Sequence, residues 1–388
     1  MLVPRLYEDL SVLHQNTMPV HSYFIPTSTP PRTLSALPPR EDSDRLQMLS
    51  GCAWNFRYYS SIHELREAFY LPDFKPDGAW REEEVPFCWQ MKGYDEHQYT
   101  NIRFPFPFDP PYVPQHNPCG AYTHTFTWHK DPVAPCTFLF FEGVDSCFYV
   151  WLNGNYVGYS QVSHYVSEFD VTDYLTEGEN HLAVLVLKWC DGSYLEDQDK
   201  FRMSGIIRDV YLLNRPKDRI ADYVITTDLS EDLRTADLSI KFTYSGEPIP
   251  VTLKLLKTQK GSSSDSETSI AGSSDSETPK TGSSDSETPE TGTSDSEAPE
   301  TGSSARTILE ASLNGESEIQ LGVKDPLLWN AETPNLYTLI IETEHETITE
   351  RVGFRSVCLK DGVVYLNGAP IKFRGVNRHE SDPVTGEV

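Results

Sequence analysis

A chain of 388 residues is too long for one small core and, at roughly 100–200 residues per domain, is read as two or three domains. Hydrophobic residues make up 38% and aromatics 12%, more apolar material than a disordered chain carries. The formal net charge of −26, with no clustered Lys and Arg, argues against nucleic acid and against an anionic membrane surface as partners. Residues 261–304 hold ten Asp and Glu against one Lys and supply −9 of that charge.

The amino-terminal "MLVPRLYEDLSVLHQ" has no sustained apolar core and carries Glu8 and Asp9, so it is a poor secretory signal. Residues 1–45 are rich in Pro, Ser and Thr without period and read as an extended arm. From residue 46 the texture changes. "FRYYSS", "TFLFFEGV", "CFYVWLNGNYVGYSQ", "HLAVLVLKW" and "DVYLLNR" are aromatic and β-branched segments separated by Gly, Pro, Asn and Asp, the pattern of an all-β sandwich over 46–216 with few helices. Asn153-Gly154 between two such segments predicts a type I′ hairpin turn. The near-continuous "LAVLVL" predicts a strand covered on both faces, and it is far short of the roughly 20 residues a membrane helix needs.

After Pro216 the same texture resumes over 217–358 ("DYVITTDL", "ADLSIKFTY", "VTLKLLK", "LYTLIIETE", "TITERVGF"), which predicts a second sandwich. It is split by 261–304, where "GSSDSETPKT", "GSSDSETPET" and "GTSDSEAPET" repeat every ten residues. With no apolar position to stack, this repeat is expected to be a disordered acidic insertion between two strands. Residues 359–388 contain a further hairpin at Asn367-Gly368 and then an expected strand, "IKFRGVNRHE". That ending reads as the opening of a domain whose remainder is missing.

The seven cysteines, Cys52, Cys88, Cys119, Cys136, Cys147, Cys190 and Cys358, form no CxxC pair and leave one unmatched, so neither a disulfide framework nor a zinc site is indicated. Reduced thiols in a cytoplasmic protein are the simplest reading. Metalloprotease, P-loop and dinucleotide signatures are absent, and Ser, Cys and His are too dispersed to nominate a nucleophilic triad. Three constellations remain. In "WCDGSYLEDQDKF" Asp191, Glu196, Asp197 and Asp199 crowd behind an apolar strand, either as a solvated acidic loop or as a site whose carboxylates hold a cation or sugar hydroxyls. Arg202 and Arg208 stand close enough in sequence to neutralise part of that charge. Residues 89–122 carry six Pro among many aromatics, and are expected to pack along a domain surface and present Tyr99 or Asn101. In "RGVNRHE" His379 ends the expected strand, a position that lines the active site in a barrel but that a merely structural His also fills.

"WQMKGYDEHQYTN", "PPYVPQHNPCGAY", "GENHLAVLVLKWCDGSYLEDQDKFRMSGIIRDVYLL", "LWNAETPNLYTL" and "LNGAPIKFRGVNRHE" occur in an order that resembles the amino-terminal part of glycoside hydrolase family 2 β-galactosidases (lactases). The resemblance covers nearly everything from about residue 46 onward except the acidic insertion. It implies a mainly β chain: a jelly-roll sugar-binding domain, an immunoglobulin-like β-sandwich, and the truncated start of a (β/α)8 barrel. It also implies that Asn101 and Asp199 hold galactose hydroxyls, that Asp199 ligates a sodium ion, and that His379 binds the galactosyl unit and stabilises the transition state. Asp191, with Gln161, matches a peripheral magnesium site. The two catalytic glutamates and the main magnesium ligands beside them belong further along the barrel, so this chain alone is expected to be inert. The full-length protein is expected to be a cytoplasmic homotetramer. Alternatives are a β-glucuronidase or β-mannosidase relative, and a non-catalytic carbohydrate-binding scaffold of two sandwiches.

Overall fold

The computed structural model describes residues 3–31, 37–100, 102–196, 198–258, 305–379 and 381–388. The acidic repeat lies outside the described residues. The strands flanking it, Pro250–Thr258 and Ala305–Asn314, pair antiparallel with each other. Among the described residues the only helices are four short 3-10 turns, and none is long and apolar enough to cross a membrane.

The first sandwich is built on a seven-stranded antiparallel sheet in the order His14–Gln15, Asn155–Gln161, Cys147–Leu152, Gly178–Leu187, Cys119–Trp128, Cys52–Tyr59, Arg81–Val85. A four-stranded sheet of Ser167–Asp170, Cys136–Phe141, Val210–Arg215 and Leu46–Met48 faces it. Successive side chains of a strand point to opposite faces, and in Gly178–Leu187 both faces are apolar. Leu182, Val184 and Val186 enter the core between the sheets with Trp54, Phe56, Phe141 and Phe148. Ala183, Leu185 and Leu187 enter a second core on the outer face with Phe69, Trp80, Tyr149 and Trp151. That second core is closed by Val3 and Tyr7 of the arm and by Phe106 and Val113 of the Pro-rich segment. The Pro-rich segment packs along the sheet as its composition predicts, tied down by the Tyr194 hydroxyl, which donates to the Tyr112 carbonyl at 2.6 Å.

The second sandwich stacks Arg219–Leu229, Thr235–Ser245 and Glu318–Lys324 on a four-stranded sheet of Ala305–Asn314, Pro250–Thr258, Tyr337–Glu342 and Thr347–Val352. Leu238, Ile240, Leu253, Leu339 and Ile341 fill its core. Both predicted Asn-Gly turns are present: Asn153 and Gly154 have φ of 52° and 80°, Asn367 and Gly368 of 49° and 77°, the paired positive φ values that a type I′ turn requires.

The arm joins the two sandwiches. His14 and Gln15 add an edge strand against Ser160 and Tyr159, and this close approach depends on Gly158, where a Cβ would lie 2.4 Å from the Gln15 carbonyl oxygen. Further on, the Ser22 hydroxyl donates to the Tyr223 carbonyl at 2.8 Å, Phe24 is buried in the second core, and Thr27 bridges Thr347.

The strand expected over "IKFRGVNRHE" is not formed. The hairpin of Val357–Lys360, Val363–Leu366 and Ala369–Pro370 is present, but 371–379 carry no strand and residues 372–379 are exposed. A barrel strand draws its hydrogen bonds from neighbours on both sides, and the described residues offer this stretch no such neighbours.

Arg215 closes the junction between the sandwiches. Its Nε and Nη2 donate to the two oxygens of Glu346 at 2.5 and 2.9 Å, Nη2 also donates to the Ile220 carbonyl at 2.8 Å, and its guanidinium lies 5.0 Å from the Phe24 ring centre. Arg215 is 5% and Glu346 2% exposed, so removing one partner strands a buried charge. Glu346→Gln is expected to destabilise the chain by about 3–5 kcal/mol, and the paired Arg215→Met, Glu346→Leu exchange by much less. Urea unfolding of the three proteins checks this; equal losses in the single and double variants would contradict it.

Candidate functional site

The run "WCDGSYLEDQDKF" leaves the doubly buried strand Gly178–Leu187, turns through the 3-10 helix Asp191–Tyr194, and enters Lys200–Arg202, which forms a two-stranded ribbon with Gln98–Thr100. The fold sends its carboxylates to different places. Asp191 is 4% exposed, and burial raises its carboxyl above the ordinary range against the opposing effect of the Gln161 side chain. Asp191 Oδ2 and Gln161 Oε1 are both buried without a hydrogen-bond donor, while Gln161 Nε2 donates to the Val12 carbonyl at 3.2 Å. Glu196, to which the sequence assigned no role, accepts the Ser163 N–H at 2.9 Å and the Ser163 hydroxyl at 2.7 Å. Val162 makes this possible by adopting a φ of 80°, a costly conformation for a β-branched residue.

Asp199 is exposed and accepts a hydrogen bond from the Tyr99 hydroxyl, which holds the Tyr99 phenol above its usual value. Asn101 and Asp197 lie outside the described residues; Thr100, next to Asn101, pairs with Lys200 across the ribbon. His379 is exposed, and among the described residues no hydrogen bond joins it to Asp199. Of the two arginines, Arg202 donates to the Ser193 carbonyl at 3.4 Å and lies over the Trp189 ring at 5.6 Å, and Arg208 donates to the His164 carbonyl at 3.1 Å.

The structure adds a cluster that sequence reasoning missed. Asp145, His164, Glu196 and Lys200 line a cavity of about 330 Å³ beside the ribbon. Glu387 closes it, with Oε2 3.0 Å from His164 Nε2 and Oε1 accepting from Lys200 Nζ at 2.8 Å. No local signal marks Asp145 or Glu387, because the cluster is assembled from segments far apart in the chain. A larger cavity of about 600 Å³ lies on the second sandwich between Tyr223, Trp329, Arg351 and Arg355 and shares no residue with the run.

Among the described residues no three His, Cys, Asp or Glu come together to hold a metal ion. Asp199 supplies one exposed carboxylate, so a sodium ion there needs ligands from elsewhere. Asp191 with Gln161 fits a hard cation better: two buried acceptor oxygens without donors are costly unless a cation meets them.

Residues 46–216 match the family Glycosyl hydrolases family 2, sugar binding domain, and residues 219–355 match Glycosyl hydrolases family 2. The chain belongs to glycosyl hydrolase family 2. It is 43% identical to the β-galactosidase of Actinobacillus pleuropneumoniae over 387 residues and 37% identical to that of Staphylococcus xylosus over 388. Both alignments cover 100% of this chain, but only 33% and 34% of the relatives, so the chain spans about a third of their length and corresponds to their amino-terminal portion. The fold is shared with a β-glucuronidase from an uncultured Clostridium sp., at 20% identity and a TM-score of 0.61 over 91% of this chain and 52% of that one. A Ruminococcus gnavus β-glucuronidase aligns at 16% identity and a TM-score of 0.59, over 88% and 51%.

In this family 2 chain Asp145 has an unusual proton affinity. Burial first, then the carboxylates of Glu196 and Glu387, push its carboxyl from 3.8 up to about 7, against the Ser146 hydroxyl and Lys200. A carboxyl raised on folding stabilises the fold fully below its unfolded value and loses that contribution as pH rises through the folded value. Asp145→Asn is therefore expected to hold its melting temperature between about pH 4 and about pH 8 better than the parent, and to be the more stable protein at the upper end. Thermal melts across that range check this; parallel profiles would contradict it.

Proposed function

We propose that the protein hydrolyses terminal β-D-galactosides such as lactose, with retention, and that this chain forms the sugar-recognising front of the enzyme. The supporting observation is Asp199: alone among the described carboxylates of the run it is exposed, with one oxygen oriented by Tyr99 and the other without a hydrogen bond among the described residues. A carboxylate so placed accepts a bond from a sugar hydroxyl, and a bond that tightens as the oxocarbenium ion develops raises the rate as well as the affinity. Asn101 is proposed for the same sugar, and His379 for the galactosyl unit and its transition state. The nucleophile and the acid/base, two carboxyls roughly 5 Å apart in a retaining enzyme, fall by resemblance in the two thirds of the relatives that this chain does not span. The β-galactosidase relatives favour galactose over a glucuronide or mannoside.

Sodium at Asp199 and magnesium at Asp191 with Gln161 are part of the same proposal, as are a cytoplasmic location and a homotetramer. A bound cation would supply positive charge that orients hydroxyls and neutralises the buried carboxylate. The residues of this chain would hold it and fix the ribbon.

Two experiments test the reading. In a polypeptide of the relatives' full length carrying this sequence, Asp199→Asn is expected to lower kcat/KM for a chromogenic β-galactoside about 100-fold and Asp197→Asn less than about threefold. The 388-residue chain alone gives no turnover. Equal losses return the run to a solvated acidic loop, and faster turnover of a β-glucuronide by the parent protein overturns the galactoside assignment. For the cation, saturating Mg²⁺ is expected to raise the melting temperature of the chain by about 1–3 °C. Asp191→Asn should melt at least as high as the parent without Mg²⁺, since it removes a buried charge, and should not respond to the ion. An equal response in both proteins excludes this site.

A further inference from the structure

Residues 381–388 fold back as a closed turn and press on the first sandwich. Asp382 and Gly386 exchange backbone hydrogen bonds at 2.7 and 2.9 Å, and Asp382 Oδ1 accepts the Val384 and Thr385 N–H groups at 2.7 and 3.0 Å. Gly386, at a φ of 82°, lies so close to Met91 and Cys88 that a Cβ would stand 3.0 and 3.1 Å from their Cγ and Sγ atoms. These contacts hold the turn whatever side chain stands at 387.

The Glu387 side chain does something separate. It is 6% exposed and reaches away from its own turn to Lys200 and His164, which lie on two different segments. Lys200 opens the ribbon strand and follows Asp199; Glu387 follows His379 by eight residues. A buried ion pair contributes little net stability compared with apolar side chains of the same volume, and its best-attested use is to fix register.

We propose that Glu387 is a positioning residue, clamping the ribbon that carries Asp199 to the segment that carries His379 so that the two are held in one register. The assignment rests on the galactoside reading for what the register serves, but the clamp itself is a contact between named groups. Burial pushes the Glu387 carboxyl up, but the contacts with His164 and Lys200 outweigh it and hold the group below its usual value. The geometry also separates the clamp from the turn: Gly386 and Asp382 build the turn, and Glu387 ties it to the ribbon.

Hydrogen exchange on the 388-residue chain tests this without any sugar. Glu387→Ala and Lys200→Met are each expected to speed amide exchange in 98–100 and 200–202 about tenfold, with exchange in 182–187 nearly unchanged. The double variant should add nothing further, as partners in one contact are non-additive. Glu387→Gln, which keeps an acceptor for Lys200, should restore most of the protection. Unchanged ribbon exchange in Glu387→Ala overturns the clamp and leaves the galactoside reading standing; loosening spread through 182–187 overturns it in favour of a merely structural role. In the full-length polypeptide, Glu387→Ala should lower galactoside kcat/KM about tenfold. A loosened ribbon with unaltered galactoside turnover overturns the role of the register in turnover, whereas a full-length parent that turns over no galactoside removes the galactoside reading and leaves the clamp.

Discussion

The seven-stranded sheet is buried on both faces, and the rest of the chain is arranged around that constraint. A sheet face left open at Ala183, Leu185 and Leu187 would expose a broad apolar surface, at roughly 1.5–3 kcal/mol for each large side chain. The covering comes from Val3, Tyr7, Ile62, Phe69, Trp80, Phe106 and Val113, drawn from the arm and from the long connections between strands. Proline suits this role because a segment that covers a sheet without pairing to it needs a fixed course more than it needs N–H donors.

The position of the candidate site follows from the same cover. The strand Gly178–Leu187 emerges between the two cores, and its continuation must leave the apolar interior at once; Asp191 to Asp199 mark that exit. Depth then sorts the carboxylates. Asp191, still under the cover beside Trp189 and Tyr194, has its carboxyl raised by burial. Glu196 satisfies itself on Ser163. Asp199 reaches solvent on a ribbon whose partner strand belongs to the Pro-rich cover.

Much of this was legible in the sequence because it rests on local period and turn chemistry. Alternation and β-branched content marked most of the longer strands, though not Cys119–Trp128 or Ala305–Asn314; the unbroken "LAVLVL" marked the doubly covered one, and Asn-Gly marked two hairpins. The failure at "IKFRGVNRHE" has the opposite cause. Its composition fits a strand, but a strand is a relation between segments, and beyond Ile371, whose N–H donates to the Val364 carbonyl at 2.9 Å, residues 372–379 enter no strand pairing among the described residues. Asp145, His164 and Glu387 were illegible for a related reason. Each is unremarkable in its own stretch, and only the fold, which brings Val144-Asp145 against Gly205-Ile206 and Glu387 against Lys200, creates the electrostatic cluster.

That cluster also shows why a lysine beside the ribbon matters. Asp145, Glu196 and Glu387 surround Lys200, so one ammonium, aided by His164, faces three carboxyls in a partly enclosed space. Like charges so placed cannot all remain ionised without further cations. The most buried group, Asp145, has its carboxyl pushed up to about 7, while Lys200 pairs with Glu387 at 2.8 Å. The burden of charge is thereby moved off the contact that links the ribbon to the 381–388 turn and onto a carboxyl in the wall behind it. An exposed Asp199 beside such a ribbon is then held both by its own contact with Tyr99 and by the anchoring of its neighbour Lys200.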